Sequence, residues 1–268
     1  MNYALRLWRP ASGLSMLDVN NIHFSLDDKK ILDGISVRFE PGKIHGIIGP
    51  NGSGKSTLLK NICRIWEPQS GSIIINGRDY TEIPRKELST LVTLVPQNTA
   101  IGFPISVFDI VAMGRNPHLG RFEGLRQKDQ EIIERALQQT NINALRDRNI
   151  NELSGGEGQL AIVARALATE ASLILLDEPT SGLDVKHTLE IVSILYELKE
   201  QGKTTLVSIH DLNLARKFCD TISILYRGEL FYSGTAEDAF AAENIKKVFE
   251  VNVREYTFNE TTFLDFYK

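Results

Sequence analysis

The sequence predicts an α/β fold with a mostly parallel sheet, an antiparallel β flank on its N-terminal side and a helical subdomain inserted in the core. Two observations support the parallel sheet. Four short apolar runs lack the alternation of polar and apolar residues, which is typical of strands buried on both faces, and helical stretches separate these runs. They are IHGIIG at 44–49, LVTLVPQ at 91–97, SLILLDE at 172–178 and TTLVSIH at 204–210.

The antiparallel flank is predicted from two segments of period two that follow Met16. Apolar and polar residues alternate in both segments, and the turn pair Pro41-Gly42 closes the second. A separate hairpin is expected at 222–234, with its turn at Arg227-Gly228. The alternating apolar residues of the flank are Ile22, Phe24 and Leu26, followed by Ile35, Val37 and Phe39.

Helices are expected directly after Lys55 and over residues 186–202. The inserted subdomain is predicted over residues 98–160, where strand-like runs are missing and apolar residues repeat at helical spacing. This interpretation makes the region mostly helical. The repeating residues are Ile132, Ile133, Ala136 and Leu137.

The chain is expected to form one domain over residues 16–250. Residues 1–15 have no continuous apolar centre, which makes them a poor signal peptide. They are interpreted as a loosely ordered extension or a misassigned start, with a membrane-surface helix as the alternative. Residues 251–268 are expected to form a short C-terminal segment.

Composition limits the function classes. The chain has 268 residues, 42% of them hydrophobic, and a formal charge of −4; with a pI near 5.8, this argues against nucleic acid as the main partner. No apolar run approaches the length needed to cross a bilayer, so we expect any link to a membrane to go through a partner. Cys63 and Cys219 lie in apolar helix-like patterns and are expected to be reduced core residues.

Each of the four predicted strands leads into residues that can do chemistry. The first is followed by a glycine-rich loop from Gly49, the second ends in Gln97, the third in Asp177 and Glu178, and the fourth in His210. In an open parallel sheet, ligands bind beyond the carboxyl ends of the strands. We therefore expect these residues to form one site.

The loop GPNGSGKST at 49–57 fits the phosphate-binding pattern G-x-x-x-x-G-K-[ST]. Its backbone N–H groups can point at an anion, and the following helix adds the positive end of its dipole. Lys55 can reach the β- and γ-phosphates of ATP, and the Ser56 hydroxyl can bind Mg²⁺. The alternative is a glycine turn beside a surface lysine. The candidate ATP-binding residues are Gly49, Pro50, Asn51, Gly52, Ser53, Gly54, Lys55, Ser56 and Thr57.

The two carboxylates at 177 and 178 have different predicted roles. Asp177 ends an apolar strand and suits the carboxylate that helps hold Mg²⁺. Glu178 can polarise the attacking water as a general base. The alternative for Glu178 is an acid at a helix start, because Pro179 and Thr180 follow.

Three further side chains are candidates for the same site. Gln97 can contact the metal or the water, and His210 can donate a hydrogen bond to the γ-phosphate. Each of these two would more often be a structural residue if taken singly, but their shared position at strand ends favours the site. Phe24 can stack on the adenine ring, with a core phenylalanine as the alternative.

A second glycine-rich stretch, NELSGGEGQL, spans residues 151–160. One interpretation of this stretch is purely structural: Ser154 and Glu157 fit the capping box S-x-x-E, which stabilises the start of a helix. Gly155 and Gly156 weaken a helix start, since glycine costs about 1 kcal/mol relative to alanine. With the Ser154 hydroxyl and the helix N-terminus, however, their bare N–H groups suit a γ-phosphate.

The second stretch is not expected to reach the ATP of its own chain, because no predicted strand leads into Ser154. A second copy of the chain, placed head to tail about a two-fold axis, resolves this difficulty. The stretch of each copy would then close over the ATP that the other copy holds.

The motifs taken together resemble those of ATP-binding-cassette ATPases. GPNGSGKST, Gln97, LSGGE, LILLDEPTSGLD and SIHD occur in that family's order, over roughly residues 17–234. The resemblance implies a P-loop ATPase core in which Gln97 matches the Q-loop, 154–157 the signature, Asp184 the D-loop and His210 the switch histidine. It also matches Phe24 to the adenine-stacking aromatic, which is more often tyrosine. The sequence departs from the family at Gly158, where a basic residue is usual.

Two stretches, VAMGRNPHLGRF at 111–122 and HDLNLARKFCD at 210–220, resemble the branch of the family that imports metal chelates. This resemblance implies two integral-membrane permease subunits, an extracytoplasmic binding protein and a location on the cytoplasmic face of the membrane. Residues 98–125 would receive a coupling helix of the permease, with an ordinary helical surface as the alternative. The cargo would be a ferric siderophore, haem or cobalamin.

Three other functions stay open from the sequence. The first is a soluble cassette ATPase that acts on ribosomes or DNA, although such proteins usually carry two cassettes or a long coiled-coil insertion. The second is a regulatory cassette that does not hydrolyse ATP. The third is the ATPase subunit of an exporter or of a transporter with a different substrate.

Overall fold

The computed structural model describes residues 16–97, 101–258 and 261–268. The predicted N-terminal extension, 1–15, lies outside the described residues. The strands are β1 (Leu17–Leu26), β2 (Lys29–Phe39), β3 (Ile44–Ile48), β4 (Ser70–Ile75), β5 (Arg78–Asp79), β6 (Val92–Val95), β7 (Leu173–Asp177), β8 (Thr204–Ser208), β9 (Thr221–Tyr226), β10 (Glu229–Thr235), β11 (Asn252–Phe258) and β12 (Thr261–Tyr267). The helices are α1 (Lys55–Ile62), α2 (Arg85–Leu91), α3 (Val107–Ala112), α4 (Gln127–Gln139), α5 (Gly155–Ala168), α6 (Val185–Glu200), α7 (Leu212–Phe218), α8 (Ala236–Ala239) and α9 (Ala242–Phe249), with 3₁₀ helices at Met113–His118, Asn143–Leu145 and Ile150–Glu152.

The larger sheet has six strands in the order β10-β9-β3-β8-β7-β6. Strand β10 pairs antiparallel with β9, and all other neighbours in this sheet are parallel. The four apolar runs of the sequence form β3, β6, β7 and β8, so the predicted α/β fold class is confirmed. The carboxyl ends of these four strands lie at one edge of the sheet.

The smaller sheet is antiparallel, with the order β2-β1-β4-β5. It contains the two segments of period two as β1 and β2, which confirms the predicted flank. The hairpin of β9 and β10 also has its turn where the sequence placed it, between Tyr226 and Glu229.

Residues of the parallel strands alternate between two hydrophobic clusters. Ile48 and Leu176 belong to the cluster that α3, α4, α5 and α6 cover. Ile47 and Leu175 belong to the cluster that lies against the antiparallel sheet and α1. The sheet is therefore buried on both faces, which is why its strands show no polar alternation in the sequence.

The C-terminal segment forms an antiparallel hairpin of β11 and β12. The side chain of Asn213 on α7 accepts a hydrogen bond from the N–H of Leu264 at 2.7 Å and donates to its carbonyl oxygen at 3.0 Å. Arg216 on the same helix pairs with Glu255 at 2.9 Å. The hairpin is thereby attached to the helix that follows His210.

The two cysteines are free thiols, as expected from the sequence. Burial raises the pKa of Cys63 to about 12 and also raises the pKa of Cys219. Since the thiolate is the reactive form, both residues behave as core side chains.

The described part of the predicted insertion contains α3, α4 and the start of α5, and the four apolar residues at helical spacing are all buried in α4. Arg115 fastens this region to the core. Its guanidinium donates to Asp129 Oδ1 at 2.9 Å, to the carbonyl oxygen of Ala168 at 2.8 Å and to Glu170 Oε2 at 3.1 Å. Arg115 and Asp129 are both buried, so this pair has little access to water.

Replacing Arg115 with alanine is expected to lower the free energy of unfolding by about 3–5 kcal/mol, because it leaves the buried Asp129 carboxylate without its cationic partner. The measurement is guanidinium unfolding followed by circular dichroism. Arg85→Ala is the matched control, because Arg85 is 75% exposed and its ion pair with Glu67 is long, at 3.5 Å; its effect should stay within about 0.5 kcal/mol. Equal losses in the two variants would contradict the role given to Arg115.

Candidate nucleotide-binding site

The phosphate-binding loop joins β3 to α1. Gly49 has a φ of +151°, and a Cβ there would lie 2.1 Å from the carbonyl oxygen of Leu225, so only glycine fits. The buried Lys55 ammonium donates to the carbonyl oxygens of Gly49 at 2.9 Å and Pro50 at 3.3 Å. The lysine therefore closes the loop on itself in this structure.

Burial lowers the pKa of Lys55, and the negative charges of Glu178 and Asp177 oppose this effect. The ammonium group thus lies within the field of both carboxylates. It forms the positive side of a site whose negative side comes from β7.

The loop borders a cleft of about 640 Å³, a volume within the range of small-molecule sites. Residues 51–57 line it, together with Gln97, Glu178 and His210. Residues that follow the four predicted strands, β3, β6, β7 and β8, therefore meet there, which confirms the predicted convergence. The cleft is also lined by Ser181 and by 29–31 at the start of β2, positions that the sequence analysis did not select.

Oxygen atoms suited to Mg²⁺ lie beside the loop. The Ser56 hydroxyl donates to Asp177 Oδ1 at 3.0 Å. Hydroxyl and carboxylate oxygens are the hard ligands that Mg²⁺ takes, usually one or two from the protein with phosphate and water oxygens completing the shell. Ser56 and Asp177 fit this requirement, and the amide oxygen of Gln97 is a third donor at the same edge.

Ser208 is a buried residue that the sequence analysis missed. Its hydroxyl donates to Asp177 Oδ1 at 2.7 Å and accepts the backbone N–H of Glu178 at 2.8 Å. Both carboxylate residues therefore depend on one hydroxyl group for their orientation. The available signal was its place as the polar residue before Ile209 and His210 at the end of the fourth apolar run.

Glu178 is held by two side chains from the neighbouring strand ends. Gln97 Nε2 donates to its Oε2 at 2.6 Å, and His210 Nε2 contacts its Oε1. The backbone of Glu178 has a φ of +49°, a left-handed conformation that non-glycine residues adopt mainly where the surroundings enforce it. Helix α6 begins only at Val185, so Glu178 is not the helix-start acid of the alternative interpretation.

Phe24 does not line the cleft, contrary to its predicted role in stacking on adenine. The side chain is 5% exposed, and its ring stacks on Trp66 with centroids 5.4 Å apart and planes 7° apart. The alternative interpretation, a core phenylalanine, is the one that the structure has. The period of two explains this placement, because Phe24 shares the buried face of β1 with Ile22.

The second glycine-rich stretch forms the predicted capping box. Ser154 Oγ accepts the N–H of Glu157 at 3.3 Å, and the Glu157 carboxylate accepts the N–H and the hydroxyl of Ser154, both at 2.8 Å. These hydrogen bonds hold the pKa of Glu157 below its usual value. The N–H of Gly158 donates to the carbonyl oxygen of Ser154 at 2.9 Å, so the helix starts regularly despite the glycine at that position.

The stretch lies apart from the cleft of its own chain. Ser154, Gly155 and Gly156 are all described by the structure, and none of them lines the cleft. A Cβ at Gly155 would meet open space, whereas one at Gly156 would meet the ring of His187. There is therefore room for a side chain at position 155 but not at position 156.

A phosphate cradle between a strand and a helix, with a carboxylate pair at a nearby strand end, defines a nucleoside-triphosphate-hydrolysing protein. The sequence pattern of the ABC transporter family matches residues 32–181. The chain is 34% identical over 241 residues to a probable siderophore transport system ATP-binding protein of Bacillus subtilis, covering 90% of this chain and 88% of the relative. It is 36% identical over 245 residues to the iron(3+)-hydroxamate import ATP-binding protein of the same species, covering 91% of each chain.

A solved structure described as an inward-facing conformation of a metal-chelate type ABC transporter aligns with a TM-score of 0.82 and 30% identity, covering 94% of this chain and 96% of that chain. The chain belongs to the ABC transporter ATP-binding family. It is an ATPase, and ATP is the nucleotide that its cassette binds.

Replacing Ser208 with alanine removes its hydrogen bonds to Asp177 and Glu178 and is expected to lower the kcat of ATP hydrolysis by about 30- to 150-fold, since each lost bond contributes about 1–1.5 kcal/mol. ATP affinity should change less than about twofold, because Ser208 does not line the cleft. A phosphate-release assay measures the rate, and fluorescence titration measures affinity.

Ser223→Ala is the control for this prediction. Ser223 is equally buried in the same sheet, but its hydroxyl pairs with Ser233 at 3.1 Å, away from the carboxylates. A similar loss of kcat in both variants would mean that Ser208 supports the sheet rather than the site.

Proposed function

We propose that the chain binds Mg²⁺ and ATP in this cleft and that two copies enclose two ATP molecules head to tail. The separation of the two anion-type stretches within one chain carries this proposal: residues 51–57 line the cleft, and 154–156 do not. Gly155 faces open space, and Val185 is 76% exposed. A second copy would cover these residues and complete the wall around each triphosphate.

In the proposed complex, the N–H groups of the loop and the N-terminus of α1 bind the phosphates. Lys55 exchanges its bonds to the loop carbonyl oxygens for phosphate oxygens and neutralises their charge. Ser56, Asp177 and the amide oxygen of Gln97 hold Mg²⁺, which draws negative charge from the phosphoryl group when it is bound. The hydroxyl of Ser154 in the second copy leaves its capping partner and donates to the γ-phosphate.

Glu178 acts as the general base for the attacking water in this scheme. In the structure its two carboxylate oxygens are each engaged, one by Gln97 and one by His210. Each oxygen keeps a second lone pair, and release of either contact would make the carboxylate a stronger base. A γ-phosphate offers His210 another acceptor, so nucleotide binding would free the base.

Replacing Glu178 with glutamine is expected to trap an ATP-bound dimer, since the amide keeps the shape of the carboxylate but accepts no proton. Turnover should fall by about 10²–10⁴, the usual contribution of a general base. Gel filtration with Mg²⁺ and ATP measures the dimer, and a phosphate-release assay measures turnover. In a Lys55→Ala control, loss of the phosphate contact should leave the chain monomeric. A Glu178→Gln variant that binds ATP yet stays monomeric would refute the dimer.

We further propose that ATP hydrolysis powers uptake of a metal chelate: a ferric siderophore, haem or cobalamin. Two relatives are named for siderophore and hydroxamate transport, and others of similar identity are named for hemin or cobalamin import. A relative named for manganese transport is 37% identical. Identity at this level therefore does not specify the cargo, which has to be tested directly.

The proposed partners are two permease subunits, with an extracytoplasmic binding protein that delivers the chelate, and the chain would sit on the cytoplasmic face of the membrane. Within the described residues, no helix has the length and apolar character to cross a bilayer. Near the predicted coupling region, Phe103, Met113 and Phe122 expose 56%, 40% and 95% of their side chains. These exposed apolar groups suit contact with a permease.

Cells that lack this chain are expected to lose uptake of one labelled chelate among ferric siderophores, haem and cobalamin. The wild-type chain should restore uptake, and the Lys55→Ala variant should not, because transport requires ATP binding. Filter assays of the labelled chelates measure this. If the purified chain hydrolyses ATP but uptake of all three chelates is unchanged in cells that lack it, metal-chelate import is excluded and the ATPase activity still stands.

A further inference from the structure

We propose that His187 is a positioning residue that joins the stretch 154–156 and Asp184 into one rigid unit facing the second copy. This inference rests on the proposed ATP-bridged dimer and assigns that dimer a residue outside the motifs found in the sequence. Its basis is a pair of contacts that the imidazole ring makes on its two sides.

The first contact is with Asp184, the N-cap of α6. The Asp184 Oδ1 accepts the backbone N–H of His187 at 2.9 Å and lies 2.8 Å from His187 Nδ1. A carboxylate accepts hydrogen bonds, so Nδ1 carries the proton. The two hydrogen bonds lower the pKa of Asp184. The ring is consequently fixed in direction, although Asp184 itself is largely exposed.

The second contact is with Gly156 at the start of α5. A Cβ on Gly156 would lie 2.4 Å from His187 Cγ, 2.5 Å from Nδ1 and 2.7 Å from Cδ2. Turning the ring about its own axis would not move Cγ. Relief requires a different χ1 angle, which would break the bond from Nδ1 to Asp184. A side chain at position 156 is therefore incompatible with the hydrogen bond between His187 and Asp184.

The two neighbouring glycines, Gly155 and Gly158, differ from Gly156 in the space around them. Cβ atoms at Gly155 and Gly158 would meet open space. Only Gly156, of these three, is a glycine because another side chain occupies the place of its Cβ. The His187 ring thus packs α5 against α6 in the first turn of both helices.

The consequence for the proposed dimer is that its two contact segments move together. Ser154 and Gly155 precede the His187 contact on α5, and Asp184 and Val185 precede it on α6. A second copy that meets one segment meets the other in a fixed geometry. We expect loss of His187 to loosen this surface while the cleft of the same chain stays intact.

The test measures the dimer constant in the Glu178→Gln background by analytical ultracentrifugation with saturating Mg²⁺ and ATP. His187→Ala and Gly156→Ala should each weaken the dimer about tenfold, within the usual range of coupling between residues in contact. ATP affinity of the dilute monomer should stay unchanged, and the thermal midpoint should fall by only about 2–4 °C in each variant, because the lost contacts lie at one end of two helices. The double variant should be no weaker than His187→Ala, because the added methyl then meets no ring.

Two further variants complete the design. His187→Asn keeps an N–H for Asp184 and should recover part of the dimer affinity, and it replaces His187→Ala if that variant does not fold. Gly158→Ala is the control, since its methyl meets open space, and it should dimerise like the parent. Failure of the Glu178→Gln parent to dimerise would refute the proposed function. A parent that dimerises, with His187 and Gly156 variants equal to it or with additive losses in the double variant, would refute the role of His187.

Discussion

The hydrogen bonds of the Ser208 hydroxyl fix the geometry on which the rest of the site depends. Asp177 and Ser208 are register partners in the parallel pair of β7 and β8, which brings the hydroxyl to the carboxylate. A slip of β8 by one residue would turn Ser208 to the opposite face of the sheet, away from Asp177. Chemistry at this edge is thus a property of the sheet register, and the hydrophobic clusters on both faces hold that register.

The strand order gives Glu178 its two partners. Strand β7 lies between β6 and β8, so residues after the two flanking strands, Gln97 and His210, reach it from both sides. The left-handed backbone at Glu178 costs about 1–2 kcal/mol for a residue other than glycine. The side-chain contacts and the bond from its N–H to Ser208 offset that cost. A strained, doubly held carboxylate is also consistent with the proposed base, whose contacts would change when a ligand arrives.

The chain carries two stretches suited to phosphate but only one lines the cleft described here. The capping box at Ser154 shows why a structural interpretation and a binding interpretation of the same residues are compatible. Its hydrogen bonds are internal, and their donors, the N–H and hydroxyl of Ser154 and the N–H of Glu157, are the groups that would face a phosphate oxygen in the proposed dimer. The contact of Gly156 with His187 packs this end of α5 against α6.

The sequence by itself determined the α/β class, the four buried strands, the phosphate loop, the hairpin after β9 and the meeting of the four strand ends. These features are local in pattern, because apolar period, turn residues and loop spacing are all read over a few consecutive positions. Tertiary structure decided the features that depend on distant contacts. Trp66, 42 positions away, supplies the ring that stacks on Phe24, whose buried face the period of two already indicated. Ser208 and His187 gained their roles from residues about 30 positions away, Asp177 and Gly156. Side-chain contacts of that kind leave no periodic trace in the sequence, so only the packing of β7 on β8 and of α5 on α6 could decide them.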